Sequence, residues 1–559
     1  MAGWCREYGT TGLTGVLVAL WLSVVCRGVD SLPADVLEDD WRWLYGCGVC
    51  VLAGMALLVF FVPGRLKKCL PFVTSWILVV YGGIEAVWGI RQVYGFTFSN
   101  HALYALTGSF YNPGPYSGYL AMAFPVCLYE WLKRKDGRKT LLYYVALAGM
   151  LLVLCVLPAG MSRSAWAAAG VSSAYVCSMC YGAEIKEYVR RHRRKALGLV
   201  VAFSLLGAMA AGGIYLMKKD SADGRLFIWK IAARTVAGHP WTGVGWGSVA
   251  AAYGQEQEAY FAAGDYTPAE ELVAGTPEYV FNEYLQVAVA WGIPALCVGL
   301  LILGSCWMAG HRQRLYGLCG ALLALAVFAF SSYPLQFPAF VSTLSALALA
   351  CVIRRLPLEK SGFRLGFAVL WCVGCVGCYH AFRQKSRAVA ACRQWNRNRM
   401  LYQSGAYRQA AESYTDIREE MGTNARFLFE YGHALHKLHE SEASNKVLEE
   451  ALKVSGDPMI LNVMGKNEQE MGHYDRAEHY FVRAVHRLPG RIYPYYLLAH
   501  LYADPAFYQR GKLEQMVRTV LEKEPKVQST AIRQMRQKVR ELLEAVPKPE
   551  AGEEENRPR

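Results

Sequence analysis

The chain is 559 residues long, carries a formal charge of +14 and is 54% hydrophobic, a length that predicts more than one domain. As far as about Phe382, Lys and Arg cluster in short links between apolar runs, which is the pattern of membrane topology. No nucleic-acid motif accompanies the charge, and charge alone specifies only a sign, so a nucleic-acid partner is set aside.

A bilayer crossing needs about 20 mainly apolar residues. Runs of that kind predict spans at 11–29, 43–62, 71–90, 115–132, 140–158, 163–182, 196–217, 284–308, 315–333, 337–353 and 363–382. The expected fold is all-α: a polytopic bundle of about 11 spans over residues 1–382, a linker over 383–397, helical repeats over 398–545 and a disordered tail over 546–559. The first run has only Arg6 before it and no small-residue cleavage site near Arg27, so it reads as a retained helix. Every second link is basic: Arg65 to Lys68, Lys133 to Lys139, Arg190 to Lys195, Arg312 with Arg314, and Arg354 with Arg355. That alternation puts those links and the N-terminus in the cytoplasm. The links 27–42, 91–114, 159–162, 218–283 and 334–336 are then expected outside, together with everything after the last span. Arg383, Lys385, Arg387 and Arg393 would lie just outside the membrane, against the charge rule.

The 17 cysteines fall mostly inside apolar runs, some with CxxC spacing, as Cys47 with Cys50 and Cys372 with Cys375. No His or carboxylate completes a ligand set beside them, so they read as small hydrophobes and no metal is expected.

Ionisable residues at membrane depth are costly and default to function. Arg163 opens a span at its outer end within Met161-Ser-Arg163. Glu85 is a weaker candidate, and Glu130, near a cytoplasmic end, reads as solvated. Asn112-Pro113-Gly114-Pro115 is strong turn chemistry leading into the fourth span. The longest polar interval runs from Asp220 to about Asn282. Arg225 and Trp229 are spaced to share a helix face, whereas Arg234 lies roughly 180° round from Arg225 at 3.6 residues per turn. Guanidinium groups suit phosphate, because a planar fork bonds two oxygens and stays charged.

Beyond the membrane zone, Gly405-Ala-Tyr407-Arg-Gln-Ala410 recurs as Gly472-His-Tyr474-Asp-Arg-Ala477, and a middle unit fits with Gly432, Leu448 and Ala451. A period of about 33–34 residues resembles the tetratricopeptide repeat family, which implies paired helices that dock a protein partner. The tail Pro547-Lys-Pro-Glu550 onward has few apolar residues to bury and is expected to be disordered.

Five further motifs occur in order: Phe110-Tyr-Asn112-Pro113 with Gly118; Ser162-Arg163; Gly224-Arg225 with Trp229; Pro240-Trp-Thr-Gly243-Val-Gly245-Trp-Gly247; and Asn282-Glu283-Tyr-Leu285-Gln with Gly292-Ile-Pro294. Over about residues 70–350 the chain resembles the O-antigen ligase and polymerase superfamily of bacterial envelope enzymes. The resemblance implies transfer of a glycan from undecaprenyl diphosphate to a hydroxyl on lipid A-core, another glycan or a protein, outside the inner membrane and without metal, nucleotide sugar or other cofactor. It implies that Arg163 and Arg225 stabilise the leaving diphosphate; Arg234, read from its charge and not from the resemblance, joins Trp229, Asn112 and Asn282 as a substrate-binding candidate. Where ligases of this kind often carry a His before the Asn of the re-entering helix, this chain has Phe281. Glu283 or His239 is then expected to serve as the base, with Glu278 nearby. The alternatives are a chain polymerase of the same superfamily, and a non-catalytic transporter or scaffold that presents the repeats.

Overall fold

The computed structural model describes residues 2–27, 33–135, 140–195, 197–198 and 219–545. The expected span at 196–217 lies almost wholly outside these residues, and the expected disordered tail lies outside them entirely. The chain divides into two compact units. One comprises Met1–Lys219, Phe281–Val287 and Pro294–Arg393; the other comprises Asp220–Val280, Ala288–Ile293 and Gln394–Arg559.

The first unit is a helical membrane bundle. Its helices are α1 (Ala2–Leu22), α2 (Pro33–Phe61), α3 (Pro63–Val93), α4 (Pro113–Leu132), α5 (Leu141–Val156), α6 (Arg163–Cys180) and α7 (Gly182–Arg191). Elements that recur below are α8 (Lys219–Gly238), α9 (Val249–Ala262) and α10 (Pro268–Val273), then α11 (Glu283–Arg312), α12 (Tyr316–Ala329), α13 (Pro338–Val352) and α14 (Ser361–Gln403). Seven described helices are long and apolar enough to cross a membrane, fewer than the expected spans. Helices form at 115–132, 163–182 and 315–333 as expected, but α4 and α6 fall outside that set and α12 is too short for it.

The reason is position. Helices α4, α6 and α12 pack mutually against one another. Almost every residue of α4 from Pro115 to Leu128 is buried, including Tyr116, Ser117 and Tyr119. A helix surrounded by protein is not required to be apolar on every face, as a lipid-facing one is. Small buried residues on α6, Ala165, Ala168, Ala169 and Ser172, let its neighbours approach closely. Glu130 is not solvated as expected: it is buried and ion-paired with Arg134, whose guanidinium lies 5.0 Å from the Trp76 ring centroid.

Ion pairs order the two ends of this unit. At one end Lys67 bonds Glu359 at 2.7 Å and Arg354 donates to the Lys67 carbonyl, so two basic links meet. At the opposite end of α2, Arg27 holds Asp39 at 2.5 Å and Lys385 holds Glu38 at 2.7 Å, with Arg393 beside Asp39. Lys385 and Arg393, after the last span, thus sit against Glu38 and Asp39, which neutralise part of their charge. Residues 383–397, expected as a linker, are helical throughout as part of α14.

The second unit joins α8, α9 and α10 to α15 (Tyr407–Thr415), α16 (Ala425–Lys437), α17 (Ser441–Leu452), α18 (Pro458–Glu470), α19 (Tyr474–Arg487), α20 (Ile492–Ala503), α21 (Arg510–Glu522) and α22 (Thr530–Ala545). Helices pack in consecutive pairs, α16 on α17, α18 on α19 and α20 on α21. Three turns have the same left-handed residue: Gly405 at φ 84°, His439 at 60° and Gly472 at 80°. The small residue that follows in each, Ala410, Ser444 and Ala477, is completely buried.

Candidate active site

Three helices of the membrane unit begin at one end of the bundle. Asn112 caps α4 by accepting from the Gly114 N–H at 2.8 Å. Asn282 caps α11 by accepting from the Leu285 N–H at 3.1 Å. Arg163, half-buried, is the first residue of α6. The segment 331–337 runs between these starts. Ser164 shares a 2.7 Å hydrogen bond with Ser331, the Glu283 carboxylate accepts from the Leu335 N–H at 2.7 Å, and Phe110 packs on Phe337 with centroids 6.3 Å apart. Asn112, Arg163, Asn282 and Glu283 therefore belong to one end of one unit. Helix N-termini carry unsatisfied N–H groups and partial positive charge, so their gathering with a guanidinium favours an anion there.

Two non-glycine residues with left-handed backbone flank these positions. Met161 (φ 48°) precedes Ser162-Arg163, and Phe281 (φ 54°) precedes Asn282. A bulky side chain at positive φ costs roughly 1–3 kcal/mol and persists only where its surroundings hold it. Phe281 is held edge-on against Tyr333 at 5.0 Å. The loop before α4 is held by Gln92, whose amide oxygen accepts from Thr107 and Gly108 N–H at 2.8 and 2.7 Å, and by Glu85, which accepts from Ser109 N–H at 3.0 Å. Glu85 thus acts on the loop backbone.

Glu283 is 3% exposed. One carboxylate oxygen is used by Leu335; the other has no hydrogen-bond partner among the described residues. The side chain lines a cavity of about 310 Å³, otherwise almost wholly apolar, with Tyr284, Val287, Leu303, Leu335 and Leu344 among its walls. A buried carboxylate oxygen without a partner is costly, and it can accept a proton from a hydroxyl that enters the cavity.

In the second unit, the Pro240–Trp246 turn pairs with the break in α11. Pro294 has no N–H to give the Ala290 carbonyl, and Gly292 sits at φ 82°, so the helical ladder opens. Val244 and Gly245 N–H bond the freed Val289 and Ala290 carbonyls at 2.9 Å each, and Ile293 N–H bonds Pro240 O at 2.8 Å. Trp246 stacks on Trp291 at 4.9 Å. A Cβ at Gly292 would collide with the Trp241 backbone. Two of the five sequence motifs are thus two halves of one contact.

Arg225 and Trp229, both half-buried, stand on α8. Arg234, farther along α8, bonds Glu256 at 2.7 Å and lies over the Tyr260 ring. His239 follows the end of α8 and is exposed. Lys230 bonds Glu270 at 2.5 Å and Tyr260 at 2.7 Å. Burial alone would raise the Glu270 pKa, but the Lys230 ammonium and donors from Thr267 and Tyr260 outweigh it and bring it down to about 2. Among the described residues, no group of three or more His, Cys, Asp or Glu is placed to hold a metal ion.

Sequence reasoning missed Ser164, Ser331 and Leu335. Ser331–Phe337 reads as an uncharged outer link, and the signal it does carry is Pro334 and Pro338 bracketing a segment too short for a helix. No curated protein matches the chain. Residues 148–300, from within α5 to within α11, match the model of a family described as O-antigen ligase. That stretch contains Arg163, Arg225, Trp229, Arg234, His239, Asn282 and Glu283, and it is the part of this helical membrane protein that is similar to that family.

Proposed function

We propose that the chain transfers a glycan from undecaprenyl diphosphate to an acceptor hydroxyl on the outer face of the inner membrane, the acceptor being lipid A-core, another glycan or a protein. The observation that carries this reading is Arg163 at the start of α6, at the bundle end where α4 and α11 also begin, inside the stretch that matches O-antigen ligase. The acceptor oxygen attacks the anomeric carbon, the bond from that carbon to the diphosphate oxygen breaks, and the diphosphate leaves with the electron pair. Arg163 stabilises the charge that develops on it, and the same guanidinium chemistry makes Arg225 on α8 a candidate for binding donor phosphate. Glu283 takes the proton of the attacking hydroxyl through its unused carboxylate oxygen, and the apolar cavity below it receives the aliphatic part of a lipid substrate. His239 is the second candidate base. Asn112 and Asn282 hold the helix starts in place, and Trp229 offers a face to a sugar ring. The reaction needs neither metal nor nucleotide sugar, because the diphosphate is already a leaving group. The paired helices after Gln394 are read as tetratricopeptide-like units, supported by their common left-handed turn.

Deletion of the gene tests this. Surface glycan should lose its attachment and the lipid-linked glycan should build up, identified by mass spectrometry, with Arg163→Ala failing to complement. Single repeat units still attached, in place of long chains, would make the enzyme a polymerase. No accumulation at all would end the transferase reading.

A further inference from the structure

The paired helices are usually read as a docking module for another protein. Here part of their surface is already occupied, by the polar interval of the same chain. Glu258 on α9 is clamped by two arginines of α19: Arg483 at 2.7 Å on one oxygen, and Arg487 at 2.5 and 3.0 Å on the other. The Arg487 side chain is 1% exposed, and Gln257, beside Glu258, donates to the Arg487 carbonyl at 2.6 Å. Gly254 and Gly456 meet backbone to backbone; a Cβ on Gly254 would stand 2.6 Å from the Gly456 Cα. Lys523, just after α21, bonds Glu271 of α10 at 2.5 Å. Leu488, at the end of α19, is buried in one cluster with Phe227 and Ile231 of α8.

Helix α8 is fastened onward in the same way. Arg234 ties it to Glu256 on α9 and Lys230 ties it to Glu270 on α10. Beside the Gln257 hydrogen bond, the glycine contact and the Leu488 cluster, the links are charge pairs, and the deepest is Arg487–Glu258. Burying a guanidinium is costly unless it is paired, and such a pair fixes register more than it adds stability. A surface meant only to cover α9 would be served as well by apolar residues.

We propose that the paired helices brace α8, the helix of Arg225 and Trp229, and that Arg487 is a positioning residue for the donor. The inference rests on the reading that α8 serves the diphosphate donor. The partner of this part of the repeats is the chain itself, and occupancy of their remaining surface by another protein has a direct route to α8.

The test uses the full chain in detergent or vesicles, with Arg487→Glu, Glu258→Arg, the double charge swap and Arg487→Lys. Each single reversal should raise hydrogen exchange across 219–280, leave exchange in α3 and α4 unchanged, and lower kcat/KM for the donor by about tenfold or more, mainly through KM. The double swap should restore both in part, because Arg483 then faces a like charge at position 258, and Arg487→Lys should lie between wild type and the single reversals. A general folding defect would reduce active protein without moving the donor KM. Unchanged exchange in Arg487→Glu, or loosened exchange with unchanged transfer, would overturn the brace. Should the wild-type chain transfer no glycan, the transferase reading fails and the exchange measurement alone decides the brace.

Discussion

The two units hold polar groups inside a fold in different proportions of two ways. Apart from ion pairs such as Arg27–Asp39, Lys67–Glu359 and Arg134–Glu130, polar side chains of the membrane unit answer to backbone: Asn112 to Gly114, Asn282 to Leu285, Glu283 to Leu335, Gln92 to Thr107 and Gly108. In the second unit charge answers to charge: Arg234 to Glu256, Lys230 to Glu270, Glu258 to Arg483 and Arg487, Lys523 to Glu271. The difference follows from solvent. Irregular backbone inside a bundle has no water to satisfy it, so side chains must. In the second unit the more exposed pairs, such as Arg234–Glu256, cost little to form, and the buried Arg487–Glu258 pair sets alignment. A substitution in the first unit should therefore remove a function or orphan a backbone group, whereas one in the second should shift a position.

Arg163→Ala is the strongest test of the first half of that contrast. Removing a group that stabilises a leaving anion typically costs about 10²–10³ in rate. Transfer measured in vesicles should fall by that order while the melting temperature holds, and Arg163→Lys should keep part of it. A fully active alanine variant would break the comparison, because the charge at that bundle end would then have no task. Glu283 ranks next. Glu283→Ala leaves the Leu335 N–H buried without an acceptor, a loss of about 1–3 kcal/mol, read as a lower melting temperature. Glu283→Gln keeps an acceptor, so stability should stay near wild type while transfer is lost. If both variants transfer normally, the base lies elsewhere and His239→Ala becomes the informative change.

How legible each unit was in the sequence follows the same divide. The helices of the membrane unit could be read from apolar runs, and the starts of α4 and α11 from Asn112-Pro113 and Asn282. The span count could not, because hydropathy reports contact with lipid and α4 is mostly buried in protein, while α12 is apolar but only 14 residues long. The gathering of Asn112, Arg163 and Glu283 at one bundle end depends on the 331–337 segment, which has no charge and no motif to mark it. In the second unit two of three left-handed turns could be read from Gly405 and Gly472, but the third is hidden because His439 adopts the conformation that glycine favours. Nothing in spacing announces that Glu258 belongs with Arg487, more than 200 residues away. Charges paired across such distances look like solvated surface until the fold brings them together. Arg234 illustrates the point: chosen for its charge, it is found bonded to Glu256.

Gly254→Val sharpens the second half of the contrast by steric means alone. No space exists for a side chain between α9 and the Gly456 backbone, and overpacking of this kind costs about 1–3 kcal/mol. The expected result is a lower unfolding temperature for the second unit with the membrane unit unchanged, read by hydrogen exchange on each. Gly254→Ala should give a smaller shift in the same direction, and equal stability of all three proteins would show that the approach is not a constraint.

The smallest expected effect is on pH. His433 on α16 shares a 2.9 Å hydrogen bond with the Tyr402 hydroxyl. Burial, and then the nearby Lys437, His436 and Lys466, push its pKa from the usual 6.5 down to about 4. It is therefore neutral in the folded unit at neutral pH. Between about 6.5 and 4 the unfolded chain binds a proton that the folded chain does not, so stability is full above 6.5 and is lost as pH falls through that window. Exchange across Ala425–Lys437, corrected for its intrinsic pH dependence, should rise between pH 7 and pH 4.5. His433→Phe keeps a ring in the same space without a titrating group, so its exchange should rise less over the same interval. A phenylalanine variant that loosens as much as wild type would assign the acid sensitivity to carboxylates such as Glu430, whose ordinary pairing with Arg399 at 3.0 Å weakens on protonation. It would also return the second unit to the rule that charge there answers to charge.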